Sequence, residues 1–140
     1  MSLSAADITA IIRQGVPAAE GSGFGVEVVD EDGALCRQTF DPRQVRPGGT
    51  LSGPAMMTLA DAAMYAAVMA RLGRLEMAVT QNFTINFLSR PMPADLLARA
   101  DILKAGRRTV VLEVKMYSEG SQSLVAHATG TYSLPPAGRE

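Results

Sequence analysis

The spacing of apolar positions changes several times along the chain, and each change marks an element. From about Ser4 to Gln14 the apolar residues recur at helical spacing, with Ser4 or Asp7 near the start and Gly15-Val16-Pro17 closing the segment as a packing helix or lid. Gly25 to Val29 and Ala34 to Phe40 read as two strands around Asp30-Glu31-Asp32-Gly33, whose Asp-Gly pair favours a hairpin. Residues 41–49 carry too many turn formers for regular structure. A long helix follows, with Pro54 at its first turn, where the missing amide proton costs nothing. It ends near Leu72-Gly73, Gly supplying the cap.

Four more strands are predicted at about Ala78 to Leu88, Asp95 to Lys104, Arg108 to Ser118 and Ser123 to Ser133, with Gly106 and Gly120 marking tight connections. In the first of these, Val79, Gln81, Phe83, Ile85 and Phe87 alternate with Thr80, Asn82, Thr84 and Asn86, the period-two pattern of a strand with one apolar face. The tail from Pro135 should fray. Two strands, one helix and four strands, without regular strand and helix alternation, predict an α+β fold with an antiparallel sheet packed on the helix. With 140 residues and no repeat or linker, the expectation is a single domain with its core at about 24–134 and an N-terminal helix at about 4–15.

Residues 54–72 are Ala, Met, Leu, Val and Tyr almost all round, so this helix is predicted to be buried on most faces. Thr58, Asp61 and Tyr65 stand at i−3, i and i+4, a polar stripe on one face. A carboxylate in such company needs a partner, a wet cleft or a changed acidity. Either Asp61 accepts hydrogen bonds from Arg46 or a nearby hydroxyl and fixes a loop, or it does chemistry. Ser52-Gly53-Pro54 places backbone amides and the positive end of the helix dipole at one spot, suited to a carbonyl oxygen gaining negative charge. Pro54 donates nothing, which leaves Gly53 as the donor. Eight residues separate Gly53 from Asp61, roughly 12 Å along a helix axis, so one reacting carbonyl can hardly touch both. Two antiparallel copies of the helix across a two-fold axis would bring Gly53 of one subunit to Asp61 of the other, and this predicts a homodimer.

A formal charge of −1 and thirteen scattered Lys and Arg residues offer no field to recruit nucleic acid. The chain begins without the charged leader of a secretory signal, and Thr58 and Asp61 interrupt the longest apolar run, so a cytoplasmic protein not bound to membrane is expected. The single Cys36 excludes an internal disulfide and reads as a small strand residue. His127, the one histidine, reads as a strand residue facing solvent or an interface. No ligand cluster predicts a metal, and the eight methionines serve core filling before an acyl pocket.

The segment Ser52-Gly53-Pro54-Ala55-Met56-Met57-Thr58-Leu59-Ala60-Asp61-Ala62-Ala63 resembles the helix motif of the hotdog thioesterases of the phenylacetic-acid-degradation (PaaI-like) type. Thr84-Ile85-Asn86-Phe87-Leu88, Gly106-Arg107-Arg108 and Ala126 to Tyr132 resemble that family's next strand, following hairpin and closing strand. The resemblance spans roughly residues 24–134. It implies a hotdog fold, an antiparallel sheet wrapped around one central helix, and hydrolysis of acyl-CoA thioesters at a dimer interface. No cofactor is implied, since coenzyme A belongs to the substrate, and dimers in such a family can pair into tetramers.

By the same resemblance Asp61 falls on the family's acidic position, as general base or nucleophile, and Gly53 on its oxyanion-binding amide. Thr80 falls on a hydroxyl position that helps hold water. Ser52, Pro54, Tyr65, Arg46 and Asn82 are the expected substrate contacts, with Arg107 and Arg108 as candidates for the CoA phosphates. The family usually reads His-Gly-Gly where this chain has Ser52-Gly53-Pro54, and Asn where it has Arg46. The alternative activity is binding of acyl-CoA or an acyl chain without turnover. Hydratase chemistry would need a His near the loop or helix, and His127 is in the last strand.

Overall fold

The computed structural model describes residues 2–15, 23–47 and 50–136. Helix α1 (Ala5–Gly15) is followed by strands β1 (Phe24–Asp30) and β2 (Gly33–Gln38), a short ribbon of β3 (Val45–Arg46) and β4 (Thr50–Leu51), and the long helix α2 (Gly53–Leu72). Strands β5 (Val79–Phe87), β6 (Leu96–Ala105), β7 (Thr109–Ser118) and β8 (Leu124–Ser133) complete the chain. Six strands form one antiparallel sheet in the order β1-β2-β6-β7-β8-β5, and α2 touches every one of them. This is the α+β, one-helix architecture that the sequence predicts.

Local chemistry explains most boundaries. Ser4 and Asp7 form a reciprocal cap on α1: the Asp7 carboxylate accepts from the Ser4 amide at 2.9 Å, and the Ser4 hydroxyl accepts from the Asp7 amide at 3.0 Å. The predicted closure of α1 at Val16 and Pro17 lies outside the described residues. Between β1 and β2, the Asp30 carboxylate accepts from the amides of Asp32 and Gly33 at 2.8 and 2.9 Å. Among the described residues no non-glycine residue has positive φ, so this side chain holds the turn and a type I′ backbone does not. Gly73, with φ of 92°, ends α2 by donating to the Met69 carbonyl at 2.9 Å.

The loop expected at residues 41–49 is more ordered than its composition suggests. The Asp41 carboxylate caps a single 3-10 turn at Pro42–Gln44, and Val45–Arg46 then pairs with Thr50–Leu51. Residues 48 and 49 lie outside the described set.

One face of α2 buries Met56, Leu59, Ala60, Ala63, Met64, Ala67 and Val68 against inward-facing residues of the sheet such as Val110, Leu112, Val114, Met116, Ala126 and Ala128. Each large aliphatic side chain taken out of water there contributes about 1.5–3 kcal/mol. Contact this close depends on Gly130: a Cβ added there would lie 2.6 Å from the Met64 sulfur and 3.0 Å from the Asn82 carbonyl. Ile8, Ile11 and Ile12 of α1 join the same core. Cys36 is fully buried, and burial pushes its thiol up to about 12. Although α2 has the length and hydropathy of a membrane span, it packs here as a core helix.

The alternation expected in β5 is broken. Thr80 pairs with Tyr132, but Asn82 pairs with Thr131 and Phe83 with Gly130, so Gln81 is an extra residue. This β-bulge reverses the assignment of faces at the start of the strand. Thr80 shares the helix-facing side with Phe83, Ile85 and Phe87, while Gln81 leaves it.

Candidate active site

The start of α2 is capped by Ser52, whose hydroxyl accepts from the Ala55 amide at 3.2 Å while its carbonyl accepts from the Met56 amide at 3.1 Å. Pro54 has no amide proton. Among the positions from Gly53 to Met56, the Gly53 N–H alone is available, with no partner among the described residues. Its Cα faces the Phe87 ring, which a Cβ would meet at 3.4 Å. A cavity of about 540 Å³ opens there, lined by Arg46, Leu51, Gly53, Pro54, Phe87 and Arg90 among others.

Two turns further on, Asp61 is held from two strands. The Thr80 hydroxyl donates to Asp61 Oδ1 at 2.7 Å, and the Tyr132 phenol donates to the same oxygen at 2.9 Å and to the Asp61 backbone carbonyl at 3.1 Å. Tyr132 is 3% exposed, and burial, followed by the nearby Asp61 charge, raises its phenol far above the ordinary tyrosine range. Asp61 Oδ2 receives no hydrogen bond from the described residues. A cleft of about 300 Å³ lies beside the carboxylate, lined by Met57, Thr58, Asp61, Thr80 and Phe83.

The predicted stripe divides. Thr58 lines the cleft but donates its hydroxyl to the Pro54 carbonyl at 3.0 Å. Tyr65 turns its hydroxyl to the Glu76 carbonyl at 2.9 Å, and its ring stacks on Tyr132 at 6.0 Å between centroids. Arg46 lines the cavity at the helix start, and within the chain Asp61 is bound by hydroxyls and not by that guanidinium. Asn82 lies beyond the bulge on the face opposite Phe83, and Arg107 and Arg108 occupy the exposed β6–β7 turn. His127 pairs across strands with Glu113 at 2.8 Å, away from Asp61.

Sequence reasoning missed Tyr132. Its signal was present, since Ala126, Ala128, Gly130 and Tyr132 form the inward face of β8, and a phenol ending such a face needs a hydrogen-bond partner. One chain thus places the Gly53 amide and Asp61 Oδ2, each without a partner among the described residues, in separate depressions.

Residues 48–125 match the model of the thioesterase superfamily. A protein of Silicibacter sp. TM1040, provisionally named a thioesterase, is 36% identical, with 96% of this chain and 93% of that one covered at a TM-score of 0.85. A variant of the phenylacetic acid degradation protein PaaI from Thermus thermophilus is 28% identical over 85% of this chain and 99% of its own, at a TM-score of 0.73. A protein of Saccharolobus solfataricus, provisionally named an esterase, is 27% identical over 110 residues, covering 79% of this chain and 72% of its own. The matched segment carries Gly53, Asp61 and Thr80, though Tyr132 falls beyond it. The chain belongs to the thioesterase superfamily and is a thioester hydrolase of the hotdog fold.

Proposed function

We propose that the protein hydrolyses acyl-CoA thioesters at two equivalent sites shared across a homodimer. The observation that carries this reading is the placement of the half-sites along one open strand. Asp61 lies beside Thr80 near the start of β5, Gly53 lies beside Phe87 at its end, and the far edge of β5 has no strand partner among the described residues. If two copies of β5 pair antiparallel about a two-fold axis near Phe83 and Thr84, Thr80 of one chain falls opposite Phe87 of the other. Asp61 then meets the second subunit's Gly53 amide. Exposed apolar residues along this edge, Met77, Val79, Phe87 and Leu88, favour such a partner.

In this arrangement the thioester carbonyl accepts from the Gly53 amide of one subunit while the Asp61 carboxylate of the other takes a proton from attacking water or adds to the carbonyl carbon itself. Both routes put negative charge on the carbonyl oxygen, where the amide and helix dipole stabilise it. The CoA thiolate leaves, and a free acid is released. Arg46, joined in the same cavity by Arg90, supplies positive charge for the CoA phosphates, as do Arg107 and Arg108 at the exposed turn. No cofactor is required, and the site belongs to a cytoplasmic enzyme working as one domain per chain.

Release of free thiol from short-chain, medium-chain and aryl CoA thioesters tests the reading. Asp61→Asn should lower kcat by about 10²–10⁴-fold, the usual contribution of a positioned base. Unchanged turnover would remove Asp61 from the mechanism. If no thioester is cleaved while CoA esters raise Tm, a binding protein replaces the enzyme.

A further inference from the structure

We infer that Tyr132 is a positioning residue, which together with Thr80 grips Asp61 by Oδ1 and reserves Oδ2 for the reacting water or thioester. The inference rests on the base or nucleophile role proposed for Asp61 and deepens it by assigning the two oxygens different work.

A carboxylate on a helix can turn about its terminal bond and exchange its oxygens, because that torsion is broad and two-fold. Here the exchange is opposed from two directions. Thr80 approaches from β5 at 2.7 Å and Tyr132 from β8 at 2.9 Å, and both donate to Oδ1. The strands set both donors independently of the helix. The bulge at Gln81 brings Thr80 to the helix-facing side in register with Tyr132, so the two hydroxyls sit on paired positions of neighbouring strands. Were Gln81 a regular strand residue, it would take the place opposite Tyr132, Thr80 would point to the other face, and Tyr132 would hold Asp61 alone.

Tyr132 is the more constrained of the two. It is buried, its ring lies at 12° to that of Tyr65, and its hydroxyl also reaches the Asp61 backbone carbonyl at 3.1 Å. Tyr65 is in turn tied to the Glu76 carbonyl, so the chain of contacts runs from the α2–β5 loop to the carboxylate. Neither tyrosine offers a competing acid or base near neutral pH, since burial raises both phenols. The work of Tyr132 is therefore orientation, and the reacting atoms belong to the other oxygen.

Tyr132→Phe removes the hydroxyl and keeps the ring and its stack on Tyr65. With the best CoA thioester from the panel above, kcat should fall about 10-fold or more while KM stays within about twofold, the signature of an interaction that matters in the transition state. Thr80→Val combined with Tyr132→Phe should lose more than either change alone. Infrared spectra of protein carrying 13C-labelled aspartate, referenced to Asp61→Asn, read the clamp without any turnover. Loss of a donor from one oxygen should narrow the separation of the two carboxylate stretches. An unaltered carboxylate spectrum in a folded Tyr132→Phe protein overturns the clamp and leaves the proposed function untouched. A rise in KM with unchanged kcat overturns the positioning role. Full turnover by Asp61→Asn overturns the proposed function instead, whatever the spectrum shows.

Discussion

Strands β7 and β5 are written in similar alternating code and meet opposite fates. In β7, Val110, Leu112, Val114 and Met116 are completely buried between neighbouring strands and beneath α2. In β5, Phe83 and Ile85 are only half-buried, and Phe87 and Val79 are 49% and 59% exposed. The difference is position: β7 is flanked by β6 and β8, whereas β5 has β8 on one side and no strand on the other among the described residues. This nine-residue edge strand, apolar at Val79, Phe83, Ile85 and Phe87 and without a proline or a charge, lacks the devices by which a solitary edge avoids pairing. The pattern in β5 suits the centre of a sheet that one chain does not complete.

The strongest way to break the comparison is to hold β5 permanently as the edge that it forms in one chain. Met77→Glu with Val79→Asp places two charges on exposed positions outside both cavities, and light scattering should report monomers in place of the proposed dimer. On the proposed assembly turnover should fall by about 10²-fold, because each Asp61 would lose the partner's Gly53 amide. A finer version leaves the dimer intact: mixing Gly53→Pro and Asp61→Asn subunits should restore about a quarter of the parental sites on random pairing. Absence of recovery in verified heterodimers would confine each site to one chain.

A smaller effect tests the interior side of the contrast. Gly130→Val on β8, between β7 and β5, drives a side chain into Met64 and the Asn82 carbonyl, and should cost about 1–3 kcal/mol in chemical denaturation at fixed protein concentration. The smallest lies at the far end of the sheet. Asp95 accepts from the Phe40 amide at 2.8 Å and from Arg37 at 3.0 Å, and these contacts, the amide first, hold its carboxyl below the usual range. A depressed folded value means that the stabilisation is full above the unfolded carboxyl's range and is lost as pH falls through the folded one. Asp95→Asn should therefore cost about 1–2 kcal/mol at neutral pH, and the gap to the parent protein should close as pH falls through the folded carboxyl's depressed range.

Most of the fold was legible because it is governed by local signals. Apolar runs, the Gly53-Pro54 start, the Gly73 stop and the glycines between strands placed α2 and the six long strands within a residue or two of their observed ends. Asp61 and Gly53 were legible for the same reason, each being anomalous within its own element. The clamp on Asp61 was not, because helical spacing compares residues three or four apart and Tyr132 is 71 positions away. The face of Thr80 was misread because a bulge has no obligatory residue: Gln81 could occupy a regular strand equally well. The pair β3 and β4 escaped notice because two residues cannot establish a period.

The burial of Cys36 has a practical corollary. As the chain's single thiol is sealed in the core and resists ionisation, the protein offers a silent background to cysteine-directed reagents. One cysteine introduced by Thr84→Cys, on the exposed side of β5, would take a spin label alone, and two copies related by an axis near that residue would report a short interspin distance. The same label carried by Leu103→Cys on β6, several strands away, would report a long one, so that a residue with no part in the chemistry makes the geometry of assembly measurable.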